Sequence, residues 1–333
     1  MLQVTLSEPG KFRADDVPSP VAVPPTGFAR VAVHRIGVCG TDLHAFHGRQ
    51  PFFQYPRILG HELGVEVLAL AEHDTSVVAI GDRCAVEPYL NCGACGACLR
   101  GKPNCCEKLA VMGVHMDGGM RSQILVPIAK LFPSNTLTMD QLALVETLGI
   151  GQHAVERGKV LLGETVLVVG AGPIGLATVQ FAKAAGAQVT VLEPNTNRRA
   201  FVESTFKIEA LAQADDRLFE AVFDATGNLA AMEASIERVA FGGRLVFVGL
   251  LQGRISFDDP LFHRREMTIL ASRNSAHAFP TIMHMIESGT IDTTPWITHR
   301  LTLDEVPARF PELTKQPGLV KAMIEVIHVD GAA

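Results

Sequence analysis

The sequence predicts a protein of two parts, one mostly β and one α/β with a doubly wound parallel sheet. Three observations carry that prediction. Up to about residue 140 the apolar residues fall in short runs broken by Gly and Pro; beyond it, apolar runs alternate with helical stretches; and the first of those later runs ends in a glycine triplet that opens a helix. At 333 residues, 47% hydrophobic and 19% charged, the chain is long enough for two domains, each with its own core.

In the first part, Gly27 to Val33, Leu63 to Ala71, Arg83 to Val86 and Arg121 to Val126 read as strands. In the second, Val166 to Val169, Val189 to Leu192, Ala221 to Phe223, Leu245 to Val248 and Met267 to Leu270 read as buried strands, and Pro173 to Ala185 as a helix. Continuous apolar strands of this kind suit a parallel sheet covered on both faces. From residue 270 onward the alternation fades, and the chain is expected to return to the first part. The expected division is residues 1–140 with 270–333 for the mostly β domain, and 141–269 for the α/β domain.

Composition removes several function classes. A net charge of −6, with acids and bases interspersed, lacks the basic footprint of a nucleic-acid binder. No apolar run reaches the roughly 18 residues of a membrane span, and the first thirty residues, with Glu8, Asp15 and Asp16, lack the basic start and apolar stretch of a signal peptide. A cytoplasmic protein acting on small molecules is expected, with neither nucleic acid nor membrane as partner. In that setting seven cysteines argue for metal or catalytic chemistry rather than disulfides.

The triplet Gly170-Ala-Gly172-Pro173-Ile174-Gly175 lies at the end of an apolar strand and opens a helix. There the first glycine permits the tight turn, the second lets a pyrophosphate approach the backbone, and the third allows close packing of helix on strand. The helix N-terminus adds unpaired N–H groups for the phosphates. Glu193 follows 18 residues after Gly175, where an acid can accept hydrogen bonds from both ribose hydroxyls and repel a 2′-phosphate, which favours NAD over NADP. Arg198 and Arg199 weigh the other way, since both can reach the adenosine end. Thr226, Gly249 and Leu250, just past later strands, are further candidates for cofactor contact.

Cys92-x2-Cys95-x2-Cys98-x7-Cys106 places four thiols in a Gly-rich loop, the pattern of a closed, tetrahedral, structural zinc site. By spacing alone Cys105 competes with Cys106. A second set is mixed: Cys39 in Gly37-Val-Cys39-Gly-Thr41-Asp42-Leu-His44, and His61 and Glu62 in Gly60-His61-Glu62. One thiolate, one imidazole and one carboxylate suit a catalytic zinc with a position left for water or substrate.

In order and separation these segments resemble the zinc-containing medium-chain dehydrogenases, a family that includes alcohol, sorbitol and threonine dehydrogenases, and the likeness extends over essentially the whole chain. The resemblance implies a GroES-like catalytic domain beside a Rossmann domain, two zinc ions per chain, and NAD as hydride acceptor. It implies Cys39 and His61 as catalytic zinc ligands, and Cys106 rather than Cys105 in the structural site. Glu62 is a ligand in some members and a neighbour in others. The polyol branch takes a carboxylate from a segment that Val145-Glu146-Thr-Leu-Gly-Ile-Gly-Gln-His153 resembles, so Glu146 is the other candidate. Two residues depart from the family pattern: Gly64 comes one position early after Gly-His-Glu, and Thr147 replaces a proline. The resemblance also implies a proton path through Thr41 to His44, and Asp42 as the partner that orients His61.

Gln50-Pro-Phe52-Phe53-Gln-Tyr55-Pro, Gly113-Val-His115-Met-Asp117 and Ser272-Arg273-Asn274 resemble the branch that oxidises the C5 hydroxyl of hexonates. Phe52, His115, Arg273 and Asn274 are the corresponding substrate candidates. Arg273 serves a substrate carboxylate or, equally, a cofactor phosphate or an adjacent subunit. The alternatives are a sorbitol- or threonine-type enzyme and a non-catalytic NAD(H)-binding regulatory protein. The resemblance implies a homodimer or homotetramer.

Overall fold

The computed structural model describes residues 1–50, 53–71, 77–313 and 315–328. It divides into two compact units, Met1–Glu146 with Phe279–Ala333, and Thr147–Ala278. Among the described residues no helix is long and apolar enough to cross a membrane.

The first unit is built on the strand Phe28–Val38, whose Val31, Val33, Ile36 and Val38 are buried. It pairs antiparallel with Glu62–Leu70, with Gln123–Pro127 and with Lys321–Glu325. The sheet continues to Ile297–Thr302 on one side and to Arg83–Val86 and Leu131–Pro133 on the other. A hairpin, Leu2–Glu8 with Lys11–Asp16, contributes Val4 and Leu6 to the same apolar core. The hairpin and the two C-terminal strands are additions to the sequence reading. Leu2, Val4 and Leu6 do alternate with polar residues, whereas Ile297–Thr302 and Lys321–Glu325 carry no regular period-two pattern.

The second unit is a six-stranded sheet, parallel throughout, in the spatial order Ala210–Leu211, Gln188–Leu192, Thr165–Val169, Phe219–Asp224, Val239–Phe247, Thr268–Ala271. Chain order reverses between Thr165–Val169 and Phe219–Asp224, and in such sheets ligands bind beyond the carboxyl ends of the strands at this switch point. The helix Pro173–Ala184 follows the first strand, with Pro173 at a position where its missing N–H is not needed and Leu176, Ala177, Val179 and Phe181 buried.

The units divide at Glu146/Thr147 and Ala278/Phe279, a few residues beyond the expected 140/141 and 269/270. Thr268–Ala271 is hydrogen-bonded into the parallel sheet, so the chain leaves that unit only after it. The helix Met139–Gly158 begins in the first unit, where Gly64 lies so close that a Cβ on it would collide with the Met139 carbonyl oxygen. This close approach accounts for the displaced glycine. The helix also runs unbroken through Thr147, where a proline would remove an N–H and clash with the preceding turn.

Candidate metal and cofactor sites

The register of the first unit's sheet gathers the mixed donor set. Gly37 pairs with Glu62, and Val38 pairs with Ala322, so Cys39, His61, Glu62 and Lys321 collect at one end of the central strand. Gly37 is required there, because a Cβ would run into the Glu62 carboxylate. One ligand atom each from Cys39, His61 and Glu62 lies within 4.8 Å of the others. Glu146, from the helix Met139–Gly158, lies outside that convergent group but close enough to act electrostatically on His61.

The centre is buried and rich in acids. Asp42 and Glu62 are fully buried, and His61 and Glu146 nearly so. Asp42 caps its own helix, accepting the Cys39 N–H at 2.9 Å through Oδ2, and turns Oδ1 to His61 Nδ1 at 3.7 Å. Nε2 is then the nitrogen left for a metal. Burial pushes the Asp42 and Glu146 carboxyls up, with His61 opposing in both cases. Burial works against charge on His61, yet Asp42 and Cys39 hold its pKa well above the ordinary value. Asp42 Oδ1, His61 Nδ1 and Glu62 Oε2 are buried without a hydrogen bond.

Two residues that sequence reasoning missed complete this centre. Lys321, 1% exposed, places its ammonium 2.5 Å from the Glu62 carboxylate. Burial disfavours its charge, but Glu62 and then Cys39 outweigh that and raise its pKa. The buried Tyr89 hydroxyl donates to Glu146 Oε1. A lysine opening a strand and a lone tyrosine carry no local signal of a site; the only sequence hint was that both adjoin apolar runs.

The four-cysteine loop is the second centre. Cys92, Cys95, Cys98 and Cys106 converge within 4.8 Å, while Cys105 is exposed and outside the group. Backbone N–H groups of Cys92 and Lys108 point at Cys106 Sγ, 3.2 and 3.3 Å away, and that of Cys95 at Cys92 Sγ, 3.3 Å away. The Cys98 and Glu107 N–H groups bring the Cys95 thiol down to about 6, whereas burial and the neighbouring sulfurs push Cys98 up to about 11. Gly93, at φ +70°, takes the left-handed turn that folds the loop back.

In the second unit Gly170 adopts φ +95°, and a Cβ on Gly175 would collide with the Gly170 carbonyl oxygen. A Cβ on Gly172 would meet nothing within 4 Å, so the space over this N-cap is open for a phosphate. Pro173 and Ile174 form the first turn of the helix. Glu193, 4% exposed, accepts the Ala171 N–H at 2.8 Å and the Asn195 N–H at 2.9 Å, one on each oxygen. Arg198 Nη1 stands 3.8 Å from the same carboxylate, and Arg199 is turned to the carbonyls of Glu193 and Pro194. Thr226 bonds to Asp224, and the Val248 and Gly249 N–H groups donate to the Asp224 carbonyl, which places Thr226, Gly249 and the exposed Leu250 at the same carboxyl end of the sheet.

Thr41 and the exposed His44 lie three residues apart on the helix Gly40–Phe46, hence on one face. His115 is exposed on the turn after Ala110–Val111, its Nδ1 accepting the Val111 N–H at 3.1 Å. Arg273 and Asn274 belong to the second unit, just past the edge strand, with Asn274 at φ +49°. Phe52 lies outside the described residues.

Residues 26–136 match the alcohol dehydrogenase GroES-like domain, and residues 173–288 match the zinc-binding dehydrogenase domain. Among curated proteins the chain is similar to L-galactonate-5-dehydrogenase of Escherichia coli strain K12, 40% identical over 84% of this chain and 86% of that one. Among solved structures it resembles a protein described as a short chain alcohol dehydrogenase from Escherichia coli CFT073, complexed with NADH. That match has a TM-score of 0.89 and 27% identity, and covers 98% of this chain and 99% of the other. A zinc-binding dehydrogenase of Sinorhizobium meliloti 1021 bound to NADP gives a TM-score of 0.88 at 28% identity, over 97% and 98% of the two chains.

Proposed function

The chain belongs to the zinc-binding dehydrogenases with a GroES-like domain, and from that premise we propose that it oxidises the C5 hydroxyl of a hexonate to a ketone, with NAD as acceptor. One zinc ion would sit at Cys39 and His61 with a carboxylate, and a second in the four-cysteine loop. The observation that carries this reading is the charge of the buried centre. Among the described residues, three buried carboxyls, Asp42, Glu62 and Glu146, gather around Cys39 and His61 with the Lys321 ammonium on Glu62, and three of the buried polar atoms there have no hydrogen-bond partner. A dication would satisfy that donor set.

Zinc bound there would supply a Lewis acid that lowers the pKa of a substrate hydroxyl. The chain's own residues do the rest. Asp42 faces His61 at Nδ1, which would leave Nε2 as the nitrogen for the ion. Thr41 would take up the hydroxyl proton at Oγ1, and His44, exposed on the same helix face, would release a proton to solvent. Gly172 and the first turn of Pro173–Ala184 seat the pyrophosphate. Glu193, fixed by two backbone N–H groups, keeps lone pairs for the adenosine ribose and repels a 2′-phosphate, which selects NAD over NADP. The likeness to L-galactonate-5-dehydrogenase supports the hexonate. His115, Arg273 and Asn274 are the residues we assign to its polar groups.

The test is the rate of cofactor reduction with NAD and with NADP on a panel of hexonates, hexitols, threonine and simple alcohols. A hexonate with NAD is expected to be the best pair. Activity on ethanol with none on hexonates would overturn the substrate, and preference for NADP would overturn the role of Glu193. Subunits would pair through the open edge strand Thr268–Ala271, as a dimer or within a tetramer, which sedimentation reads directly.

A further inference from the structure

Two carboxylates compete for one place beside Cys39 and His61, and each has its own buried partner. Convergence alone favours Glu62, which lies within 4.8 Å of both. The partners reverse that order. Glu62 is in contact with the Lys321 ammonium, and both side chains are 1% exposed. A metal drawn to Glu62 would bring a dication against that ammonium and strip the ammonium of its counter-charge, and a buried, uncompensated ion is strongly destabilising. Glu146 has a neutral partner. The Tyr89 hydroxyl donates to Oε1, which leaves the charge of the carboxylate in place and its second oxygen uncommitted.

We propose that Tyr89 is a positioning residue: its hydroxyl holds Glu146 as the carboxylate ligand, bound through Oε2 alone, while Lys321 retains Glu62 as an ion pair outside the metal shell. Tyr89 suits the task because its strand, Tyr89–Leu90, is pinned by pairing with Ala110–Val111, so the phenol is held by the sheet and not by the metal. Tyr89 is 5% exposed, and its hydroxyl is given to Glu146. Hydrogen-bond partners of metal ligands fix their orientation in this way. The inference rests on the metal centre proposed above.

The metal-free protein, titrated with Co2+ against a competing chelator while its visible bands are recorded, separates the two. The four-cysteine bands serve as an internal reference. Tyr89→Phe keeps the ring and removes the hydroxyl; it is expected to weaken Co2+ at the Cys39 centre by about 10- to 100-fold and to shift its d–d bands, with the four-cysteine bands unchanged. Glu146→Gln should abolish the Cys39-centre bands. Glu62→Gln combined with Lys321→Met removes both charges of the pair, which avoids an orphaned ion, and should leave those bands in place. Wild-type affinity and spectrum in Tyr89→Phe would overturn the role of Tyr89. Loss of the bands in the Glu62/Lys321 double variant, with retention in Glu146→Gln, would overturn the choice of carboxylate. Cys39→Ser that still shows the bands would overturn the metal centre itself, a separate failure.

Discussion

Cys92, Cys95, Cys98 and Cys106 come from one short loop, and only Cys106 is buried. The Cys39 centre is gathered from the ends of three strands and the middle of a helix, with Lys321 and Glu62 in contact across 259 residues. The loop holds its sulfurs by short turns and backbone N–H groups, so its geometry is local. The other centre stands at the end of a sheet whose apolar core runs from Val31 to Ile324. On the two-zinc reading proposed above, a metal would order the first site and occupy the second, since a site already formed by its fold gains little folding free energy from the ion.

The largest effect expected from this contrast is catalytic. Cys39→Ala should lower kcat/KM by at least about 1,000-fold, equivalent to about 4 kcal/mol of transition-state stabilisation. Its urea midpoint should stay close to that of the parent, because the sheet and not the metal holds the centre. A large fall in the midpoint would erase the distinction between the two sites.

Lys321→Met comes next and acts on stability. Leaving Glu62 buried and unpaired should cost about 3 to 5 kcal/mol in urea unfolding of the metal-free protein. Adding Glu62→Gln should restore most of it. If the single and double variants unfold alike, the ion pair contributes nothing and the centre is less dry than its burial indicates.

The smallest effect is chemical and confined to the loop. In metal-free protein Cys95 ionises near about 6 and Cys98 near about 11. The depressed value means that the thiolate's favourable contacts with backbone N–H groups are present above the free-thiol range and are lost as pH falls through about 6. Iodoacetamide near neutrality should label Cys95 well before Cys98, read by peptide mass mapping, and zinc should protect both. Equal labelling would show that the loop loses its N–H contacts when the metal leaves.

Much of the fold was legible because it is written locally. The apolar run before Gly170 and the open helix N-terminus after Gly172 announce the parallel sheet and its crevice from a dozen residues. The return of the chain to the first unit was legible only as a fading of alternation, since Lys321–Glu325 joins the sheet by pairing with the distant strand Phe28–Val38, and Ile297–Thr302 joins only through Lys321–Glu325. The two departures from the family pattern were visible but not explicable in sequence. Gly64 answers to the Met139 carbonyl, and Thr147 to a helix that continues through it.

By itself the sequence marked the cysteine loop and the glycine turn with Glu193 behind it, because spacing along a short segment sets which groups can meet; Cys39 and His61, and Cys106 over Cys105, were singled out by the family resemblance. Tertiary structure alone decided two of the partners: Lys321 on Glu62 and Tyr89 on Glu146. Those pairings depend on strand register and on burial, and in a dry interior the energy of a charge is set by what lies across the sheet rather than by its neighbours along the chain.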